Sequence, residues 1–168
     1  MPADITIEEW DAEHPRWSEL LHLVTELSQM EWLAFTAEWH TSSHVLVARQ
    51  EAEIVGFLRF VVQAIGPEAD CPPVQWNGET LTEAKVIAFG VSPARRRQGV
   101  GRKLQASLQQ SAQSKGCYQI RSHSSGDHPE NHRLKLSLGY GVHPVIRDGD
   151  RGGAYFILPL RRQYNNPL

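Results

Sequence analysis

Val86-Ile87-Ala88-Phe89-Gly90-Val91 is a nearly unbroken apolar run that stops at Ser92-Pro93, and a few residues later the periodicity of the chain changes. From Gly99 onward Val100, Leu104, Leu108 and Ala112 recur every fourth residue, while Arg102, Lys103, Gln105, Gln109 and Gln110 fill positions expected to face water. A short run without polar alternation predicts a strand buried on both faces, and a sheet provides that only where helices cover both sides. This directs the chain towards a mixed α/β architecture and makes residues 92–99 the junction between a strand and a helix N-terminus. Gly90 within the run predicts a bulge or a close approach, because a glycine in a strand gives up packing.

The remaining elements follow from period and punctuation. Ile5-Thr6-Ile7 alternates as a first strand, and Trp17, Leu20, Leu21, Val24 and Leu27 recur at helical spacing behind Pro15. Trp32, Phe35 and Trp39 continue as a stripe on a second short helix. Residues 45–48 and 54–62 read as strands around a hairpin turn, and residues 81–91 as the strand ending in the apolar run, after a proline-rich loop at 66–73. The helix after Gly99 ends near Lys115-Gly116, and residues 118–122 resume a strand. His128-Pro129 offers a cap and a first helical proline for a helix completed by residues 134–138. Residues 140–146 and 154–160 are expected to pair across a turn at Asp148-Gly149-Asp150-Arg151-Gly152-Gly153.

The predicted order is βααβββαβαββ, an α/β (α+β) mixed sheet of about seven mostly antiparallel strands with helices on both faces. A length of 168 residues suits a single domain, 1–168, and 40% hydrophobic with 21% charged residues excludes a disordered chain or a disulfide scaffold. No apolar run approaches the roughly 20 residues that span a bilayer. Cys71 and Cys117 lie far apart, and the start of the chain has neither a basic nor an apolar leader region, so a reducing, cytoplasmic location is expected.

The junction itself reads Arg96-Arg97-Gln98-Gly99-Val100-Gly101. N–H groups at a helix start have no intrahelical acceptor, and the helix dipole adds about half a positive charge there. Gly99 and Gly101 let an anion approach the main chain, while Arg95, Arg96, Arg97 and Arg102 add charge. With a net charge of −2, any attraction for phosphate has to be local in this way. A P-loop is excluded because Arg96 stands five before Gly101 and Arg102-Lys103 follow it. A dinucleotide fingerprint is excluded because Leu104 occupies the place of its third glycine.

What remains, R-x-x-G-x-G behind an apolar strand and Val91-Ser92-Pro93, resembles the GNAT N-acetyltransferase superfamily, whose pattern is [QR]-x-x-G-x-[GA]. A second segment, Asn131-His132-Arg133-Leu134-Lys135-Leu136-Ser137-Leu138-Gly139-Tyr140, is similar to that family's A-H-R-F-Y-x-x-L-G-[FY]. His132, Arg133, Leu138, Gly139 and Tyr140 match; Leu134 replaces an aromatic, and Lys135 replaces the tyrosine often proposed as general acid. The resemblance implies acetyl transfer from acetyl-CoA to a primary amine, directly within a ternary complex. It further implies that Arg96, Arg97, Gln98, Gly99, Val100, Gly101 and Arg102 hold the pyrophosphate. Phe89, Gly90 and Val91 would take the pantetheine arm and acetyl group as a strand added to an opened sheet edge, with a bulge at Gly90 splaying the strands.

Deprotonating a lysine-like amine at neutral pH costs roughly 4 to 5 kcal/mol, so a base is expected near the strand centre. Glu83 is the candidate, sharing a face with Lys85, Ile87 and Phe89 by two-residue alternation, with Glu79 beside it as another carboxylate able to act through water; the alternative is a surface carboxylate at a strand start. His132, one turn before Lys135, is a candidate proton donor through water, or else structural. His123, Asp127, His128 and His132 are not expected to bind metal, because Pro129 breaks the helical pairing of the last two. Glu31, Trp32 and Phe35, with Glu38 and Trp39, suit a cationic acceptor, a small-molecule amine or a peptide amine; the aromatics read equally as a core-facing stripe. Two other classes stand beside this one. The first is a non-catalytic acyl-CoA-binding regulatory module, consistent with Lys135. The second is a nucleic-acid binder using Arg95-Arg96-Arg97 and Arg102-Lys103, against which the acidic balance and the absence of interleaved aromatics count. No nucleic-acid or membrane partner is therefore expected, and the chain is expected to be a monomer or homodimer.

Overall fold

The computed structural model describes residues 4–126, 128–144 and 153–160. Its elements are β1 (Ile5–Trp10), α1 (Trp17–Glu26), α2 (Met30–Ala34), β2 (His40–Gln50), β3 (Glu53–Ala64), β4 (Gln75–Trp76), β5 (Glu79–Thr80), β6 (Thr82–Val91), α3 (Val100–Ser114), β7 (Gln119–Ser124), α4 (Pro129–Ser137), β8 (Gly141–Pro144) and β9 (Ala154–Pro159). The predicted order holds except for the β4–β5 hairpin, which turns on Asn77 and Gly78, both at positive φ. The expected turn at 148–152, the strand end at 145–146 and Asp127 lie outside the described residues.

Seven strands form one sheet in the order β1-β2-β3-β6-β7-β9-β8. Every neighbouring pair is antiparallel except β6 with β7, which are joined by the α3 crossover that a parallel pair requires. The core lies on both faces. On one, Val100, Leu104, Leu108 and Ala112 of α3 pack against Leu58, Phe60, Ala84, Val86 and Ile120. On the other, Leu20 and Val24 of α1 cover Val45, Val47, Phe57 and Ala88. Among the described residues no helix is long and apolar enough to cross a membrane.

The bulge in β6 is at Ile87 rather than Gly90. Phe60 faces Val86 and Arg59 faces Ala88, which leaves Ile87 as the extra residue. One inserted residue inverts the alternation beyond it, so Phe89 and Val91 join Ala84 and Val86 on the α3 face, and Glu83 and Lys85 point to the opposite face. The expected common face of Glu83 and Phe89 is thereby corrected. Gly90 remains in register with Phe57 and is a close-approach point: a Cβ there would stand 2.6 Å from Leu27 Cδ1.

Two further expectations change. Gln105 is buried, not solvent-facing, because its Oε1 accepts the hydroxyl proton of the buried Tyr140 at 2.9 Å. The second helix ends at Ala34, so Trp39 lies beyond it; the carbonyls of Trp32 and Phe35 turn instead to the buried Arg59 guanidinium, at 2.7 and 2.6 Å.

Candidate functional site

β6 and β7 are paired over only four residues, from Glu83 opposite Gln119 to Val86 opposite Ser122. Beyond that point β6 continues along β3 and β7 along β9, so the two strands part and the backbone of residues 87–91 has no strand on its β7 side. The fork opens into a cleft of about 2130 Å³ that runs from the start of α3, past α4, to the opposite face of the sheet.

At the α3 end the first intrahelical bond is Lys103 N–H to Gly99 C=O, at 3.0 Å. The N–H groups of Val100, Gly101 and Arg102 precede it and have no intrahelical acceptor. Gly99 caps the helix at φ 87°, a left-handed conformation that favours glycine, and Arg97 before it also has positive φ. Gly101 has a second constraint: a Cβ there would come within 3.2 Å of Phe89 and 3.3 Å of Leu134, so its absence lets the helix start sit against β6 and α4. Arg96, Arg97, Gly99, Val100, Gly101 and Arg102 all line the cleft, as do Phe89, Gly90 and Val91; Gln98 instead bonds back to the carbonyl of Ala94. The guanidiniums are held in place: Arg96 on Val91 O, Arg102 on Ser137 Oγ, Arg97 beside Glu130 and Arg95 on Glu53. These free donors, glycines and cations fit a diphosphate, and the forked strands fit an extended arm leading from it.

On the far face the floor of the cleft is an ion-pair network. Glu83 is 1% exposed, so it is not a surface carboxylate. Arg121 holds it through Nε at 3.1 Å and Nη2 at 2.8 Å, and Gln63 and Gln119 donate to it at 3.0 and 2.8 Å. Burial pushes its carboxyl above the ordinary value, opposed by the hydrogen bonds from Gln119 and Gln63. Glu68, from the loop after β3, bonds both Lys85 and Arg121, and Arg121 also stacks over the Tyr155 ring. Sequence reasoning missed this network because its members come from four separated segments. Glu31, Trp32 and Phe35 line the same cleft. Trp32 and Phe35 are 46% and 41% exposed and meet edge to face, so they form a wall of the cleft and not a core stripe.

α4 is fastened to β7 by two side chains one turn apart: Asn131 donates to Ser124 Oγ at 3.1 Å and Lys135 to Ser122 Oγ at 2.6 Å. His132 faces the Phe156 ring and is not among the residues lining the cleft.

The site is thus a mixed sheet forked at its parallel pair, with a helix N-terminus opening onto the fork. The sequence profile of the Acetyltransferase (GNAT) family matches residues 5–140. The chain belongs to the GNAT acetyltransferase family, whose acyl donor is acetyl-CoA. Among solved structures it is similar to Arabidopsis thaliana NAA60 in complex with acetyl-CoA, at 13% identity and TM-score 0.67, covering 93% of this chain and 99% of that one. It is also similar to the ribosomal-protein-S18-alanine N-acetyltransferase of Escherichia coli, at 17% identity and TM-score 0.64, covering 98% and 99%. A third is the IAA acetyltransferase of Bacillus cereus, at 13% identity and TM-score 0.60, covering 94% and 100%. No curated protein sequence matches the chain.

Proposed function

We propose that this enzyme moves an acetyl group from acetyl-CoA directly to a primary amine within a ternary complex. The observation that carries this reading is that one cleft joins the α3 cradle, through the β6/β7 fork, to a pocket containing carboxylates and aromatic rings. Arg96, Arg97, Arg102 and the helix-start N–H groups hold the diphosphate, and the unpaired backbone at Phe89, Gly90 and Val91 holds the arm. The acceptor enters from the opposite face, between Trp32 and Phe35 on one side and the Glu83 network on the other. An ammonium group is stabilised there by Glu31 and by the faces of the two rings. Glu83 is the base. Its raised proton affinity narrows the gap to the amine, while Gln63, Gln119 and Arg121 keep its oxygens oriented, so the proton reaches it through water along the cleft. His132 does not enter this scheme, since it faces Phe156.

The test is release of CoA thiol with a panel of polyamines, aminoglycosides, amino acids and peptide N-termini. The peptides belong in the panel because one similar structure is an S18-alanine N-acetyltransferase. Glu83→Gln is expected to lower kcat/KM about 100-fold at pH 7, to leave acetyl-CoA affinity within threefold, and to be rescued by acceptors of low amine pKa. Rescue distinguishes a lost base from a disturbed network. Tight acetyl-CoA binding without turnover on any acceptor would establish the regulatory module instead. A reducing, cytoplasmic setting completes the proposal, with Cys71 exposed and Cys117 buried as free thiols.

A further inference from the structure

The loop after β3 sets a carboxylate on the floor of the cleft in the way a ligand would sit there. Glu68 Oε1 is paired with Lys85 Nζ and Oε2 with Arg121 Nη2, and Gln63 Nε2 donates to Oε2 at 3.2 Å. Each carboxylate oxygen thus has a cation of its own. The side chains of Lys85, Arg121 and Glu68 are 14%, 15% and 20% exposed, so the pairs are partly withdrawn from water while all three residues line the cleft. The loop that carries Glu68 is fastened to itself. Ala69 and Cys71 donate their N–H groups to the carbonyl of Gly66, Val74 donates to Ile65, and Ile65 donates to Leu81. Gly66 stands at φ 127°, where a Cβ would collide with the carbonyl oxygen of Pro72. Glu68 is therefore a resident part of the floor, and its removal would strip two partly buried cations of their anion. With it in place the charges balance, Lys85 and Arg121 against Glu68 and Glu83. Glu31 adds an exposed carboxylate to the same cleft.

We infer that Glu68 is a specificity-determining residue: it fills a carboxylate site from within the chain, so the enzyme takes amines whose skeleton carries no carboxylate. This rests on the acetyl-transfer reading, which seats the acceptor against the Glu83 network. An acceptor carboxylate arriving at this floor meets two cations that are already neutralised. It has to displace Glu68 or stay unpaired in a partly dehydrated site, and both oppose binding. A neutral or cationic skeleton meets neither obstacle.

The experiment compares amines that differ by one carboxylate: cadaverine with lysine, agmatine with arginine, and tyramine with tyrosine. Release of CoA thiol is measured for each in the wild type, Glu68→Ala, Glu68→Gln and the double variant Glu68→Ala with Lys85→Gln. In the wild type kcat/KM is expected to favour the member without the carboxylate by about tenfold or more. Glu68→Ala opens both the space and the cations, and this preference is expected to fall by about tenfold. Glu68→Gln removes the charge but keeps the space filled, so a smaller fall of about threefold is expected, and the double variant is expected to regain part of the preference. Both members of a pair use the same base, so their ratio is insensitive to a disturbed Glu83. A second readout needs no turnover. Propionate, the free counterpart of the Glu68 side chain, is expected to raise the urea midpoint of Glu68→Ala above that in equal chloride and to leave the wild type unmoved. A wild type that takes the carboxylate-bearing amines as well as their partners, or a preference unchanged in both Glu68 variants, overturns the assignment. If acetyl-CoA binds but no amine is acetylated, the acetyl-transfer reading fails, and the propionate response decides for Glu68 alone: stabilisation of Glu68→Ala supports the filled carboxylate site, and its absence overturns it.

Discussion

At the scale of single residues, the cleft is shaped as much by missing atoms as by present ones. Gly101→Glu places a side chain against Phe89 and Leu134 and a negative charge among the helix-start donors, so acetyl-CoA affinity measured by calorimetry is expected to fall at least tenfold. Lys135 yields a different prediction, about stability. Burial lowers its pKa from 10.5 to about 8, so in the folded protein it loses its proton first. Below pH 8 the penalty for burying the charge is present in full. Between about 8 and 10.5 the unfolded chain binds more protons, and wild-type stability rises with pH relative to a variant lacking the group. Lys135→Met is therefore expected to be more stable than wild type at pH 7, by up to about 3 kcal/mol, with the two converging near pH 10.5 in urea denaturation. A gap independent of pH would show that the difference is packing alone.

At the scale of elements, local patterns were legible and cross-chain ones were not. The apolar run of β6, the fourfold spacing of α3 and the His128-Pro129 start of α4 are properties of contiguous residues, and each formed where its period predicted. The Asn77-Gly78 turn carried an equally local hairpin signal that the proline-rich surroundings concealed. The Ile87 bulge depends on how β3 pairs, and the burial of Gln105 depends on Tyr140 thirty-five residues away; neither has a signature in its own neighbourhood. In the candidate site the strand-to-helix junction and its glycines were readable for the same reason, whereas the partners of Glu83 were not. Arg59 shows how such distant contacts shape an element. Its guanidinium gathers Trp32 O, Phe35 O and Ser43 Oγ, ending α2 and holding the aromatic wall in place. Arg59→Met is expected to cost about 2 to 3 kcal/mol of stability by leaving two carbonyls unpaired. It should also raise the acceptor KM severalfold with acetyl-CoA affinity within twofold, a split that steady-state kinetics reads directly.

At the scale of the whole molecule, the sheet is two blocks, β1-β2-β3-β6 and β7-β9-β8, with four residue pairs between them. The pairs β2–β3 and β3–β6 join strands that are neighbours along the chain or nearly so, while the β6–β7 seam must wait for the α3 crossover. Contacts between near neighbours close cheaply, so the seam belongs among the late events of folding and the early events of unfolding. A ligand that fills the fork then acts mainly on one rate constant. Saturating acetyl-CoA is expected to slow unfolding at least tenfold in stopped-flow denaturation while leaving the refolding rate within twofold, because the site it occupies does not exist until the two blocks have met. Equal effects on both limbs of the chevron would instead place the seam in the folding nucleus. If unfolding alone slows, the narrow parallel junction sets how long the molecule survives between encounters with its donor.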